Sequence, residues 1–411
     1  MKILLANKYF FLKGGAENSF FETASLLEKK GHKVIFFSMK HPRNLPGAVE
    51  EDFVTNVDYD RPGFRENFKA AGRLLYSFEA RRKIEALIRR EKPDIAHLNN
   101  IYHQISPSIL HSLRKYGVPA VMTLRDYKVV CASYSMVADN KICEACKGGA
   151  HYQCLLKACV KGSRSKSFLN TIEMYLHHNI LNLYGLVHTF ISPSRFLAEK
   201  VRDMGFKGRV EYVPNFTSLS QYEPSYGSTE RRALYFGRLS KEKGLLTLIK
   251  AAQNVQVPGF SLDILGEGPF QEELEAKVRE HRMTKIRFLG YKKPTELAED
   301  IRRAAVLVLP SEWYENNPRM IIEGFALGKP AVGARIGGIP ELVRDGLTGF
   351  TFTPGDAIDL ADKMTRLLSD SDGIVQMGQN ARRLVEAELN AEAHYRKLME
   401  IYEKAISNRA G

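Results

Sequence analysis

The sequence predicts an α/β protein built from two doubly wound domains, and three observations carry that prediction. At 411 residues the chain exceeds what one hydrophobic core normally organises. Apolar runs of strand length alternate with helical stretches in both halves, the pattern of βαβ units on parallel sheets. Between the two series lies Ser218–Glu230, polar, without hydrophobic period and containing Gly, Pro and Ser, which marks a linker. The expected division is 1–213, with a Cys-rich insertion at 131–167, then 214–390, then 391–411 as a helix packing back on the first domain. Two such domains facing each other leave a cleft at the carboxyl ends of their strands, where open α/β sheets bind ligands.

The elements follow in order. Lys2–Asn7 reads as a buried strand, Lys8–Gly15 as a loop ending in Gly14-Gly15, and Ala16–Lys30 as a helix closed by Gly31. Lys33–Ser38, Ile95–Leu98 and Ala120–Leu124 are further strands, with Pro107–Tyr116 helical between the last two. Phe168–Tyr184 is helical, Val187–Ile191 is a strand, and Ser194 starts a helix. The second series runs Leu234–Phe236 before Gly237, helical Leu245–Ala252, then strands Ser261–Leu265, Ile286–Leu289 and Val306–Leu309.

Composition narrows the function. With 44% hydrophobic and 26% charged residues, wholesale disorder is excluded. No apolar run approaches the roughly 18 residues of a membrane span. Asn7 and Lys8 cut Met1–Ala6 too short for a signal peptide, so the expected location is cytoplasmic. Sixty Lys+Arg against 47 Asp+Glu give +13, which favours anionic partners: nucleotide phosphates, acidic lipid or nucleic acid.

The richest stretch is Pro310–Pro330. Asn317 suits an N-cap, Pro318 the first helical position, Gly328 the position after the C-cap, and Pro330 a stop. The helix would start at the end of strand Val306–Leu309. Its first amides, at Arg319, Met320 and Ile321, would form an anion site with the positive end of the dipole. Glu323 lies six residues past Asn317, roughly 9 Å along the axis, a reach from a diphosphate to a ribose diol. Glu315, before the cap, lies on the other side of the phosphates.

This stretch resembles the paired-glutamate signature of glycosyltransferase family 4, retaining enzymes of the B-type (GT-B) glycosyltransferase fold with two facing Rossmann-like domains. The resemblance continues through Gly337–Val343, Asp345–Gly349 and Pro354–Asp356. It is also seen in Phe236–Leu239 with Lys243-Gly244, in Leu265–Pro269, in Phe288–Tyr291 with Gly290, and in Gly14–Glu17 at the front. It implies a hexosyltransferase that uses a nucleotide-sugar donor, UDP- or GDP-linked, without a catalytic divalent metal, in polysaccharide or glycoconjugate assembly. Glu323 would bind the donor ribose and Glu315 lie by the transferred sugar. Arg238 and Lys243 would hold the diphosphate as negative charge accumulates on it, and Gly14, Gly15, Gly290 and Tyr291 would line the donor site. The acceptor would be a glycan or a polyprenyl-linked sugar.

His97, at strand Ile95–Leu98, matches a family histidine and is a candidate catalytic residue. Relatives read Thr-Leu-His-Asp-Tyr after the strand matching Ala120–Leu124; here it is Thr123-Leu124-Arg125-Asp126-Tyr127. A guanidinium cannot titrate near neutral pH, and the retaining family needs no such base. Arg125 would bind phosphate or an acidic acceptor instead. The rivals are a sugar-nucleotide epimerase or phosphorylase on the same architecture, and a basic zinc-containing nucleic-acid protein. No pyridoxal-bearing lysine is identifiable, no RNA-binding or zinc-finger signature is present, and nucleic acid is not an expected partner. No Gly-x-Gly-x-x-Gly follows the first strand, against a dehydrogenase.

All five cysteines, Cys131, Cys143, Cys146, Cys154 and Cys159, fall in one segment. Cys143, Cys146, Cys154 and Cys159 are compatible with a structural zinc, with reduced thiols the alternative. Arg65, Lys69 and Arg73 recur every fourth residue beside Phe64, Phe68, Ala71 and Leu75. They form either a basic amphipathic helix on an anionic membrane, at its inner face, or a packing helix with a solvated basic face. Asp58-Tyr59-Asp60 imitates a metal-binding acid pair by chance.

Overall fold

The computed structural model describes residues 1–47, 49–57 and 71–408. Two compact units result: residues 1–138, 143–213 and 395–411 form one, residues 139–142 and 214–394 the other. The terminal helix Ala391–Ser407 therefore belongs from Tyr395 onward to the first unit.

The first unit is a six-stranded, wholly parallel sheet ordered Lys33–Phe37, Lys2–Ala6, Ile95–Leu98, Ala120–Thr123, Thr189–Ser192, Val210–Tyr212. Its central strands are apolar on both faces, as helices on either side require. Ile3, Leu5, Ile95, Val121 and Ile191 share a core with Leu398, Ile401 and Tyr402 of the terminal helix.

The second unit is also parallel and six-stranded, ordered Ile286–Gly290, Ser261–Leu265, Arg232–Phe236, Val306–Leu309, Ala331–Ala334, Gly349–Phe352. In chain order that is 3-2-1-4-5-6, the doubly wound Rossmann arrangement. Sheet order reverses between Arg232–Phe236 and Val306–Leu309, whose Ala233 and Leu234 lie in register with Val306 and Leu307. The loops leaving these two strands, 237–244 and 310–318, lie at the switch point, where such folds bind ligands.

The amphipathic stretch of 64–75 falls mostly outside the described residues, as does Asp58–Asp60. Residues 71–75 are helical, and Arg73 is committed within the fold, its guanidinium bound to the Thr55 carbonyl and the Glu79 carboxylate. Arg73 is thus not the solvent-facing cation the spacing suggests. Among the described residues no helix is long and apolar enough to cross a membrane.

Candidate functional site

At the switch point of the second unit, Glu315 is the centre. It sits in the loop after Val306–Leu309, only 6% exposed. One oxygen, Oε1, accepts from Lys243 Nζ (2.6 Å), Ser311 Oγ (2.6 Å) and Trp313 Nε1 (2.9 Å). Lys243 comes from the other loop, and its ammonium lies 5.2 Å from the Trp313 ring centroid. Burial alone would raise the Glu315 carboxyl, but Lys243 and the Ser311 and Trp313 donors outweigh it and hold it below the usual carboxylate range. It is therefore a carboxylate at neutral pH and not a proton donor.

Backbone contacts fix this geometry. The Glu312 amide donates to the Glu242 carbonyl (2.9 Å) and Thr247 Oγ1 to Glu312 Oε1 (2.6 Å), which joins the two loops. Gly244, at φ +67°, approaches the Pro310 carbonyl so closely that a Cβ would lie 1.9 Å from it. Gly337, at φ +60°, passes the Glu315 backbone, where a Cβ would lie 2.3 Å from its carbonyl oxygen. Both conformation and clearance require glycine there. The neighbouring Gly338 amide donates to the same Glu315 carbonyl (2.8 Å).

The helix Arg319–Ala326 departs from expectation at its start. Pro318, with extended backbone, is the cap residue, and no side chain caps it. Asn317 is instead a clip: its Oδ1 accepts from the Asn215 amide (3.0 Å) and its carbonyl from Asn215 Nδ2 (3.1 Å), tying down the start of this unit. The Ile321 amide bonds the Pro318 carbonyl (3.1 Å), which leaves Arg319 and Met320 as the first-turn residues whose amides the helix itself does not satisfy. Met320 and Ile321 side chains are core residues. The other end matches: Gly328, at φ +75°, and Lys329 return amides to Phe325 and Gly324 (3.0 Å each), a Schellman closure. Glu323 pairs with Arg319 one turn earlier, Oε1 to Nη2 at 3.0 Å.

Arg238 is exposed, and its carbonyl accepts from the buried Tyr235 hydroxyl (2.9 Å), which fixes the loop. Gly290, at φ +65°, accepts from the Gly266 amide (2.8 Å), and Tyr291 is 69% exposed. Ser311, Trp313 and the Gly337–Gly338 crossing were missed from sequence. They lie inside the stretches that carried the resemblance, but only the fold shows that they converge on Glu315.

In the first unit, Gly14 and Gly15 are exposed at the start of the helix Gly15–Lys29, with Glu17 buried one turn in. Gly14 is extended, a conformation open to any residue. Arg125 Nε donates to Asn99 Oδ1 (3.1 Å), joining the loops after two neighbouring strands. His97 is 3% exposed, with Nδ1 2.6 Å from the Tyr402 hydroxyl and Nε2 2.7 Å from Thr123 Oγ1. Its strand lies inside the sheet, and both ring nitrogens are engaged there.

Among the described residues no three His, Cys, Asp or Glu side chains are grouped as a metal site, although the thiols of Cys131, Cys143, Cys146, Cys154 and Cys159 act on one another. None of the five cysteines is in a disulfide. Cys131, Cys146 and Cys154 pack as small apolar side chains. Burial and neighbouring thiols push Cys146 up to about 12, whereas a hydrogen bond from Cys159 lowers Cys154 against its burial.

Comparison with known proteins gives a consistent result. Residues 13–221 match the family described as Glycosyltransferase Family 4, and residues 223–384 match Glycosyl transferases group 1. An uncharacterized 42.6 kDa protein in the cps region of Klebsiella pneumoniae is 26% identical, the match covering 84% of this chain and 88% of that one. The amylovoran biosynthesis glycosyltransferase AmsK of Erwinia amylovora is 30% identical over 42% of this chain and 44% of its own. HepE of Anabaena, solved with UDP and glucose, superposes with a TM-score of 0.68 at 17% identity, covering 98% of this chain and all of that one.

Proposed function

The chain belongs to glycosyltransferase family 4, and from that premise we propose that it moves a hexosyl group from a UDP- or GDP-sugar to a glycan or polyprenyl-linked sugar acceptor, with retention at the anomeric carbon. The observation that carries this reading is the buried, ionised Glu315 held by Lys243 at the switch point of the second unit.

In this reading the bond from the anomeric carbon to the diphosphate breaks, and the acceptor oxygen forms its bond on the same face. The acceptor proton passes to the departing phosphate. Negative charge grows on the leaving group, and Lys243, Arg238 and the first amides of helix Arg319–Ala326 stabilise it in a fixed arrangement. Glu315, kept ionised, accepts from the transferred sugar's hydroxyls and favours the positive charge developing at the anomeric carbon. Glu323, its rotamer fixed by Arg319, receives the ribose diol. No divalent metal has a role in this scheme. The acceptor side belongs to the first unit, and the excess of positive charge supports work at the inner face of an anionic membrane.

Thermal shift against UDP, GDP and ADP tests the donor. A ligand at a hundred times its dissociation constant should stabilise by about 2.7 kcal/mol. Proton NMR of the product, using the donor base that shifts the protein, tests the stereochemistry. No shift with any nucleoside diphosphate, or an inverted product, would overturn the reading.

A further inference from the structure

The Cys-rich insertion of the first unit carries a surface that the donor chemistry does not use. Residues 145–172 contain Lys147, Lys157, Lys161, Arg164 and Lys166 and no aspartate or glutamate. Two of its helices, Tyr152–Leu156 and Arg164–Tyr175, run side by side in opposite directions. The Tyr152 amide donates to the Tyr175 hydroxyl (3.3 Å), Thr171 Oγ1 to the His151 carbonyl (3.3 Å), and the Val160 amide to the Ser167 hydroxyl (3.0 Å).

Their inner faces are buried through Cys154 on one and Ser167, Asn170, Thr171 and Met174 on the other. Their outer faces are apolar. Tyr152 and Leu156, one turn apart, are 49% and 65% exposed; Phe168 and Ile172, also one turn apart, are 53% and 37% exposed. The cross-helix bonds set Tyr152 level with the Ile172 end and Leu156 level with the Phe168 end. Lys157, Lys161 and Arg164, all exposed, lie in and after the connecting turn, beside Leu156 and Phe168. Beneath, the pair is anchored rigidly: fully buried Lys128 reaches Glu173 Oε2 (2.7 Å), Asn170 Oδ1 (3.4 Å) and the Ala132 carbonyl (3.2 Å).

We propose that this face docks the protein on an anionic lipid surface, the four apolar side chains entering the headgroup boundary and the basic turn meeting the headgroup charge. Water-facing aromatic and aliphatic side chains beside cations, with no acid among them, fit that environment on both counts. The proposal deepens the membrane part of the reading above, on which it rests, while the donor site plays no part in it.

The test is co-sedimentation of the full chain with phosphatidylcholine vesicles, with and without phosphatidylglycerol. Binding should require the anionic lipid and weaken with salt. At about fivefold per basic residue near the surface, K157E/K161E/R164E should weaken it a hundredfold or more. L156S/F168S should abolish the binding that survives at high salt. Both variants replace exposed side chains and should keep wild-type melting temperatures and nucleotide-induced thermal shifts, which separates this proposal from the donor reading. Wild-type vesicle binding by both variants would overturn it. So would equal partition onto neutral and anionic vesicles, or an oligomer that L156S/F168S dissolves without changing vesicle binding, which would assign the face to a second copy.

Discussion

The two units share six parallel strands and a switch point, yet their loops are tied by different forces. In the second unit the loops after Arg232–Phe236 and Val306–Leu309 are joined through a buried charge pair, Lys243–Glu315, and a glycine-permitted backbone contact. In the first unit the loops after Lys2–Ala6 and Ile95–Leu98 are joined by neutral bonds. The Lys8 amide donates to the Asn100 carbonyl (2.8 Å) and the Asn100 amide to Asn7 Oδ1 (3.2 Å). His97, on the second of these strands, is buried in the core. The difference teaches where fixed charge sits: at the switch-point loops of the second unit, and in the first unit away from these loops, between Lys128 and Glu173.

Glu315→Gln should break the comparison most strongly. It keeps shape and removes the charge, so transfer should fall about 10²- to 10³-fold, as when one preorganised polar group is lost, with folding retained. Wild-type turnover would move the centre elsewhere.

Lys243→Ala comes next. Losing a charge-assisted bond of about 1.5–3 kcal/mol predicts a ten- to hundredfold loss of transfer, and it leaves a buried carboxylate unpaired. In the wild type the depressed Glu315 carboxyl adds stability that is present above its ordinary value of 4.5 and is lost as pH falls from there through its lower folded value. The variant should therefore be less stable by about 3–5 kcal/mol near neutrality, with the gap narrowing on acidification. Urea midpoints between pH 7 and 4 measure this, and a constant gap would refute the coupling.

Lys329 sharpens the comparison through stability alone. Burial lowers it to about 8, and its Nζ donates to the Gly227 carbonyl (2.8 Å). Between about pH 8 and its ordinary value of 10.5 the unfolded chain holds more protons. Stability should rise with pH there by about 3 kcal/mol, and Lys329→Met should flatten that slope.

His97→Phe should cost about 1–3 kcal/mol of stability by stranding the Tyr402 and Thr123 hydroxyls, yet spare kcat. A large kcat loss at unchanged stability would restore a catalytic role. Smallest of all should be the effect of the cysteine cluster's metal content. Elemental analysis of protein purified without added metal measures it: about one zinc per chain supports the four-cysteine site, and five titratable thiols without zinc leave the reduced-thiol alternative.

Much of the fold was legible because periodicity is local. The apolar runs at Lys2–Ala6, Ser261–Leu265 and Val306–Leu309 lie where expected. Ala331–Ala334 was not, because Ala-Val-Gly-Ala has the composition of a poor strand former; burial on both faces of a parallel sheet makes it one. Asn317 misled for a related reason. Its residue type favours a cap, but Asn215 claims its side chain from 102 residues away.

Ser218–Glu230, read as a linker, packs within the second unit, whereas the sequence by itself determined two α/β series, the helix after Val306–Leu309 with its glycine closure and the motif order of a family 4 glycosyltransferase. These are properties of neighbouring residues, written in apolar spacing and turn chemistry. Only the tertiary structure decided that Lys243 meets Glu315 across 72 positions of chain, that His97 faces Tyr402 and not solvent, and that Cys131, Cys146 and Cys154 are buried. The ionisation of a carboxylate, the exposure of a ring and the geometry of a ligand set depend on groups that sequence spacing does not relate. Burial and charge act through space, and only folding brings those groups within their range.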